Sequence, residues 1–205
     1  MGIRTHHIGQ IAVLGFTLVF SSAPVVTQNG SSFLDANRST VSYSIATVSA
    51  ETACEALRSV GGYEYSVVSA TLVEATARVP EHCRVFGIIP PEIRFGVHLP
   101  TNWNTRFYMQ GNGGYAGNAP EAEGALRTAM RAVAHGFVAA STDTGHSAQT
   151  EPLGAFAYNN LQKEIDYGFR AVHLTTVTAK TLIESYYAAP ARYSYWDGYS
   201  TGGRQ

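Results

Sequence analysis

Near position 200 the chain reads Tyr195-Trp196-Asp197-Gly198-Tyr199-Ser200-Thr201-Gly202-Gly203, an apolar extended run feeding Gly-x-Ser-x-Gly. The pattern calls for a strand, a turn tight enough to strain the serine, and a helix that begins at once, so that the hydroxyl stands above the sheet edge. Glycines two before and two after the serine are needed because strand and helix backbones crowd there and larger side chains would collide. The helix N-terminus supplies free N–H groups and a partial positive charge, both of which favour the oxyanion formed when a carbonyl is attacked. Ser200 is the candidate nucleophile, and the Thr201 amide is one candidate oxyanion donor.

An acyl-transfer site needs a second donor from an upstream loop. Arg106 to Gln110 reads as a strand running into Gly111-Asn112-Gly113-Gly114-Tyr115-Ala116-Gly117, whose glycines free the backbone for unusual dihedrals. Gly113 or Gly114 is the expected donor; a simple turn is the plainer reading. The loop matches no dinucleotide fingerprint and no phosphate-loop lysine follows it, so no redox or nucleotide cofactor is expected.

The rest of the pattern alternates strands and helices. Val85 to Ile89 and Ile93 to Leu99 flank Pro90-Pro91, which forbids helix and forces a turn, suggesting an antiparallel entry to the sheet. Alternation of Ile93, Phe95, Val97 and Leu99 with Arg94, Gly96 and His98 predicts one buried and one polar face, with His98 outward. A helix is expected over 121–135 and a strand over 137–141. A long helix is expected from Leu161 to Ala188, with a stripe of Ile165, Phe169, Val172, Thr176, Ala179, Ile183 and Tyr186, and His173 packed beside it. The sum is an α/β domain with a mainly parallel sheet flanked by helices. Asp143-Thr144-Gly145-His146 follows a strand, so Asp143 and His146 either line a site at the sheet's carboxyl edge or form an Asp-stabilised turn with an exposed histidine. As a metal pair they are too sparse.

Residues 1–26 differ from the remainder. Arg4, His6 and His7 precede the apolar run Ile11 to Phe20 and then Ser21, Ser22 and Ala23, the order of a secretory signal and too short for a membrane span. Residues 27–50 read as a weakly ordered lead-in, with sequons at Asn29 and Asn37, and the domain as starting near Glu51. Export, to the outside or a periplasm, would let Cys54 and Cys83 pair; two buried thiols are the alternative. With 14 Lys and Arg against 15 Asp and Glu there is no basic field, so neither nucleic acid nor, after signal removal, a membrane is an expected partner.

Taken together, HCRVFGIIPPEIRFGVHLPTNWNTRFYMQGNGGYAG, STDTGH, YGFRAVHLTTVTAK and YWDGYSTGGRQ resemble successive landmarks of the tannase and feruloyl esterase family over about Cys54 to Gln205. The resemblance implies an α/β-hydrolase domain with a lid, a Ser-His-Asp triad, a structural Cys54–Cys83 disulfide, and small-molecule esters of phenolic or other aromatic acids as substrates. It also implies that calcium can sit in the lid, for which these residues offer no ligands. Two departures follow. Tyr199 stands where the family has a cysteine bonded to one after the catalytic histidine, so that bridge cannot form. His82-Cys83 imitates the family's His-Cys pair but precedes the serine, whereas the triad runs serine, acid, histidine. All seven histidines lie before Ser200, so residues 51–205 are expected to be the N-terminal portion of the catalytic domain and inactive alone. A non-catalytic secreted binding protein with a hydrolase fold, or a gene remnant, is the alternative.

Overall fold

The computed structural model describes residues 47–205; the signal-like segment, both sequons and most of the lead-in lie outside them. Strand β1 (Val48–Ser49) pairs antiparallel with β5 (Asn102–Trp103), so pairing begins just before Glu51. Residues Cys54–Ser59 form a 3-10 turn, because Gly61 and Gly62 follow after too few residues to propagate a longer helix. Cys54 is bonded to Cys83 with their Cα atoms 5.4 Å apart, and both are buried, which rules out the two-thiol reading. Closing this loop of 29 residues stabilises the fold by about 3 to 4 kcal/mol in the chain-entropy model.

The main sheet comprises β2 (Ser66–Val73), β3 (His82–Ile89), β4 (Ile93–Pro100), β6 (Arg106–Gln110), β7 (Val138–Thr142) and β8 (Tyr193–Asp197), in the order β2-β3-β4-β7-β6-β8. Pro90-Pro91 turn β3 back along β4, with Ile89 opposite Ile93, as their rigid backbones require. The β2/β3, β3/β4 and β4/β7 pairings are antiparallel, while β6 pairs parallel with both β7 and β8. Parallel character is thus confined to the half that carries Ser200. β8 lies at the sheet edge, where Tyr195 and Trp196 remain partly exposed.

Helices α1 (Glu123–Ala134) and α3 (Ala171–Tyr187) cover opposite faces. Phe107, Met109, Val138 and Ala140 pack with Leu182, Ile183 and Tyr186, whereas Val133 and Ala129 pack with Ala139 and Tyr108 on the other side. β4, lying inside the sheet, is therefore buried on both faces, and His98 is 0% exposed rather than outward. Alternation cannot distinguish a strand covered on one side from one covered on both when the second face carries a glycine and a histidine. His98 sits 5.7 Å from the His82 ring and 6.0 Å from Phe86, opposite Arg84, and neither ring nitrogen has a hydrogen-bond partner among the described residues.

Burial, then His82 and Arg84, pushes His98 down to about 3. Because the unfolded chain takes up this proton first, the contribution is complete above about pH 6.5 and is lost by about 1.4 kcal/mol per pH unit as pH falls toward the folded value. His98→Phe should remove that dependence. In urea titrations at pH 6.5 and pH 5, the wild-type protein should lose about 2 kcal/mol more stability than the variant; equal losses would show that His98 does not set the acid limit.

The expected long helix is present from Leu161 to Tyr187 but holds an irregularity: α2 (Leu161–Ile165) passes through a π turn, Asp166–Arg170, into α3. One extra residue advances the helical phase by about 100°. Asp166 consequently turns inward, fully buried against Arg170 at 2.7 Å, while Phe169 turns out of the predicted stripe and His173 is exposed rather than packed. From Ala179 on, the buried stripe is as expected, and the helix ends at Ala188 in the left-handed conformation, two residues before Pro190.

Candidate active site

Strand β8 delivers the chain to Gly198, and helix α4 (Thr201–Arg204) starts one residue after Ser200. Ser200 has φ 55° and ψ −130°, a conformation that non-glycine residues hold only where the surroundings impose it. The surroundings are three glycines. A β-carbon on Gly198 would meet the carbonyl of Gly202, one on Gly111 would lie 2.5 Å from the Gly202 oxygen, and one on Gly202 would lie 2.8 Å from the Gly111 carbonyl carbon. The Gly111 amide donates to the Asp197 carbonyl at 2.9 Å and the Trp196 indole N–H to the Gly202 carbonyl at 3.0 Å, closing the turn. The Ser200 side chain caps no amide of the helix behind it and is exposed.

The glycine loop leaves β6 beside this turn. Gly114 and Gly117 have φ of 58° and 80°, and Ala116 shares the left-handed region at 59°. The Gly117 amide donates to the Asp143 carbonyl and the Ala116 amide to the Gly113 carbonyl. The amides of Gly113, Gly114 and Thr201 donate to no acceptor among the described residues, so all three remain free for a ligand oxygen. Asn112 is engaged: its amide donates to Gln205 Oε1 at 2.9 Å and its Nδ2 to the Thr142 carbonyl at 2.9 Å. A cavity of about 320 Å³ adjoins the loop, lined by Gly111, Gly113, Ala125, Thr128 and the exposed ring of Tyr199.

Asp143 and His146 lie in a buried turn after β7. Asp143 Oδ1 accepts from the amides of Arg94 and Gly145 at 3.0 and 2.8 Å, tying β4 to the turn; burial outweighs these bonds and pushes the carboxyl up to about 6. His146 is not exposed as the turn reading expected: its ring stacks on Phe156 at 3.8 Å, and burial lowers its pKa. That burial depends on a loop residue ten positions on, which local pattern does not reveal. Both residues also border a second cavity, of about 380 Å³, with Glu92, Arg94 and Glu151.

Residues missed in the sequence are Asn112, Tyr167 and Gln205. Tyr167 donates its hydroxyl to the Gly114 carbonyl at 3.0 Å, and nothing in a helical tyrosine signals this. His82 is buried with Nδ1 on the Pro80 carbonyl, in the disulfide-bearing strand β3. Among the described residues no three His, Cys, Asp or Glu side chains gather as metal ligands, and none is assigned to the calcium implied for the lid.

A family model described as tannase and feruloyl esterase matches residues 77–205, more than half of the chain. Mono(2-hydroxyethyl) terephthalate hydrolase of Piscinibacter sakaiensis is 31% identical over 181 residues, covering 75% of this chain and 30% of that protein. Probable feruloyl esterase B-2 of Aspergillus flavus is 37% identical over 109 residues, covering 53% and 19%. The crystal structure of feruloyl esterase B from Aspergillus oryzae superposes with a TM-score of 0.61 at 28% identity, over 74% of this chain and 33% of that one. The chain thus spans about a third or less of the length of the relatives it matches. Since the family match takes in β3 to β6 and their glycine loop as well as the strained serine turn, it does not rest on a five-residue motif, and the chain belongs to the tannase and feruloyl esterase family.

Proposed function

We propose that the complete protein is a secreted carboxylic-ester hydrolase acting on esters of phenolic or other aromatic acids, with Ser200 as its nucleophile. The observation that carries this reading is Ser200 held at φ 55° between two glycines that cannot accept a β-carbon, beside a loop with free amides. Ser200 Oγ attacks the ester carbonyl, the Thr201 amide and an amide of Gly113 or Gly114 receive the oxyanion, and the alcohol leaves. Water then releases the acid. In the order of this fold the acid and the histidine that relay the proton follow the nucleophile in the chain. The Cys54–Cys83 bridge supports an oxidising compartment, and no described helix is long and apolar enough to cross a membrane.

A fluorophosphonate probe tests the reading. The complete protein should gain one adduct, located by peptide mass spectrometry on Ser200. No adduct would favour the non-catalytic alternative, for which Tyr199 in place of the bridging cysteine is the motivating observation, and an adduct on another serine alone would show that Ser200 is not the nucleophile.

A further inference from the structure

Two arms meet at the proposed oxyanion site, the glycine loop after β6 and the helix α4 after Ser200, and one side chain touches both. The Tyr167 hydroxyl donates to the Gly114 carbonyl at 3.0 Å, and the Arg204 guanidinium carbon, on α4, lies 5.4 Å from the Tyr167 ring centroid. The ring is steadied from behind by Phe156 at 5.1 Å and His146 at 6.1 Å.

The π turn puts Tyr167 there. In an unbroken α-helix the phase before and after residue 166 would be common; the extra residue lets Asp166 face inward while α3 keeps its own apolar stripe on the sheet. Asp166 is held by Arg170 and by Gln162 Nε2 at 2.9 Å, and Arg170 in turn donates to the Pro90 carbonyl at 2.7 Å. The turn is thus bolted to the β3–β4 hairpin, a rigid base from which Tyr167 reaches the loop. On the loop side, Gly114 is at φ 58° with open space around it: a β-carbon there would meet nothing within 4 Å. Of the two peptide groups flanking Gly114, the preceding one is held by the Ala116 amide donating to the Gly113 carbonyl at 3.1 Å, and the following one by the Tyr167 hydroxyl on the Gly114 carbonyl.

We infer that Tyr167 is a positioning residue: by holding the Gly114 carbonyl and packing on Arg204, it sets the Gly113 and Gly114 amides relative to the Thr201 amide. This rests on the hydrolase reading above. Tyr167→Phe keeps the ring, its stacking and its contact with Arg204, and removes only the hydroxyl. With 4-nitrophenyl esters of aromatic acids and the complete protein, Tyr167→Phe should lower kcat by about 10-fold, leave KM within about twofold because substrate contacts are unchanged, and leave the thermal midpoint at the wild-type value. A wild-type kcat in Tyr167→Phe, or a loss accompanied by a lowered midpoint, would overturn the inference. Ser200→Ala separates the two claims. If it is inactive while Tyr167→Phe is normal, only the positioning role fails; if wild type hydrolyses no ester, or Ser200→Ala matches it, the hydrolase reading fails and takes this one with it.

Discussion

Ser200→Ala in the complete protein should lower kcat for an aromatic-acid ester by roughly a million-fold, the scale on which serine hydrolases respond to loss of the nucleophile. The side chain makes no capping hydrogen bond and is exposed, so its removal leaves no buried polar group stranded, and the thermal midpoint should stay at the wild-type value. Ser200→Gly sharpens the expectation. It is equally without a nucleophile, yet glycine accepts φ 55° without strain, so this variant should be more stable than wild type by about 1 kcal/mol. A dead but stabilised Ser200→Gly is what a strained functional turn predicts. Turnover within tenfold of wild type in either variant would show that another group carries the reaction.

The parts of this molecule legible in its sequence are those whose cause is local. The serine turn is written in five adjacent residues, since Gly198 and Gly202 answer to a crowding that the turn itself creates. The Pro90-Pro91 hairpin and the helix stop before Pro190 are likewise written where they act. What could not be read depends on partners distant in sequence. His98 turns inward because α1 closes the second face of β4, and an alternating pattern is silent on what covers a face. The π turn exists because Asp166 is held by Arg170 beside Gly145, a turn some twenty residues earlier. Phe169 and His173 leave the expected stripe with it, because every residue on that helix inherits its phase. Tyr167 reaches across 53 residues to Gly114, and Gln205 across 93 to Asn112. The cysteines stood between: composition allowed a bridge or two thiols, and only the packing of the 3-10 turn on β3 decides.

Gly198→Ala tests whether that local crowding does what the chemistry requires. The substitution adds one methyl group, and Gly198 is not in the left-handed region, so its own backbone tolerates alanine. The new β-carbon would instead press on the Gly202 carbonyl oxygen, lie 2.5 Å from its carbon and 2.9 Å from the Trp196 indole nitrogen. The first two are backbone atoms of α4, which cannot swing aside like the end of a side chain. Nor can α4 retreat freely, because the Gly202 carbonyl also accepts from Trp196 and Gly202 itself abuts Gly111. The helix must shift as a body, carrying the Thr201 amide away from the glycine loop and unseating Ser200. Misplacement on the order of 1 Å costs about 100-fold, and overpacking costs about 1 to 3 kcal/mol. Gly198→Ala should therefore react with the fluorophosphonate at least about 100-fold more slowly than wild type. Gly62→Ala is the control, as a β-carbon there meets nothing within 4 Å. If Gly198→Ala labels at the wild-type rate, the three-glycine contact does not hold the serine, and the strain at Ser200 must come from elsewhere.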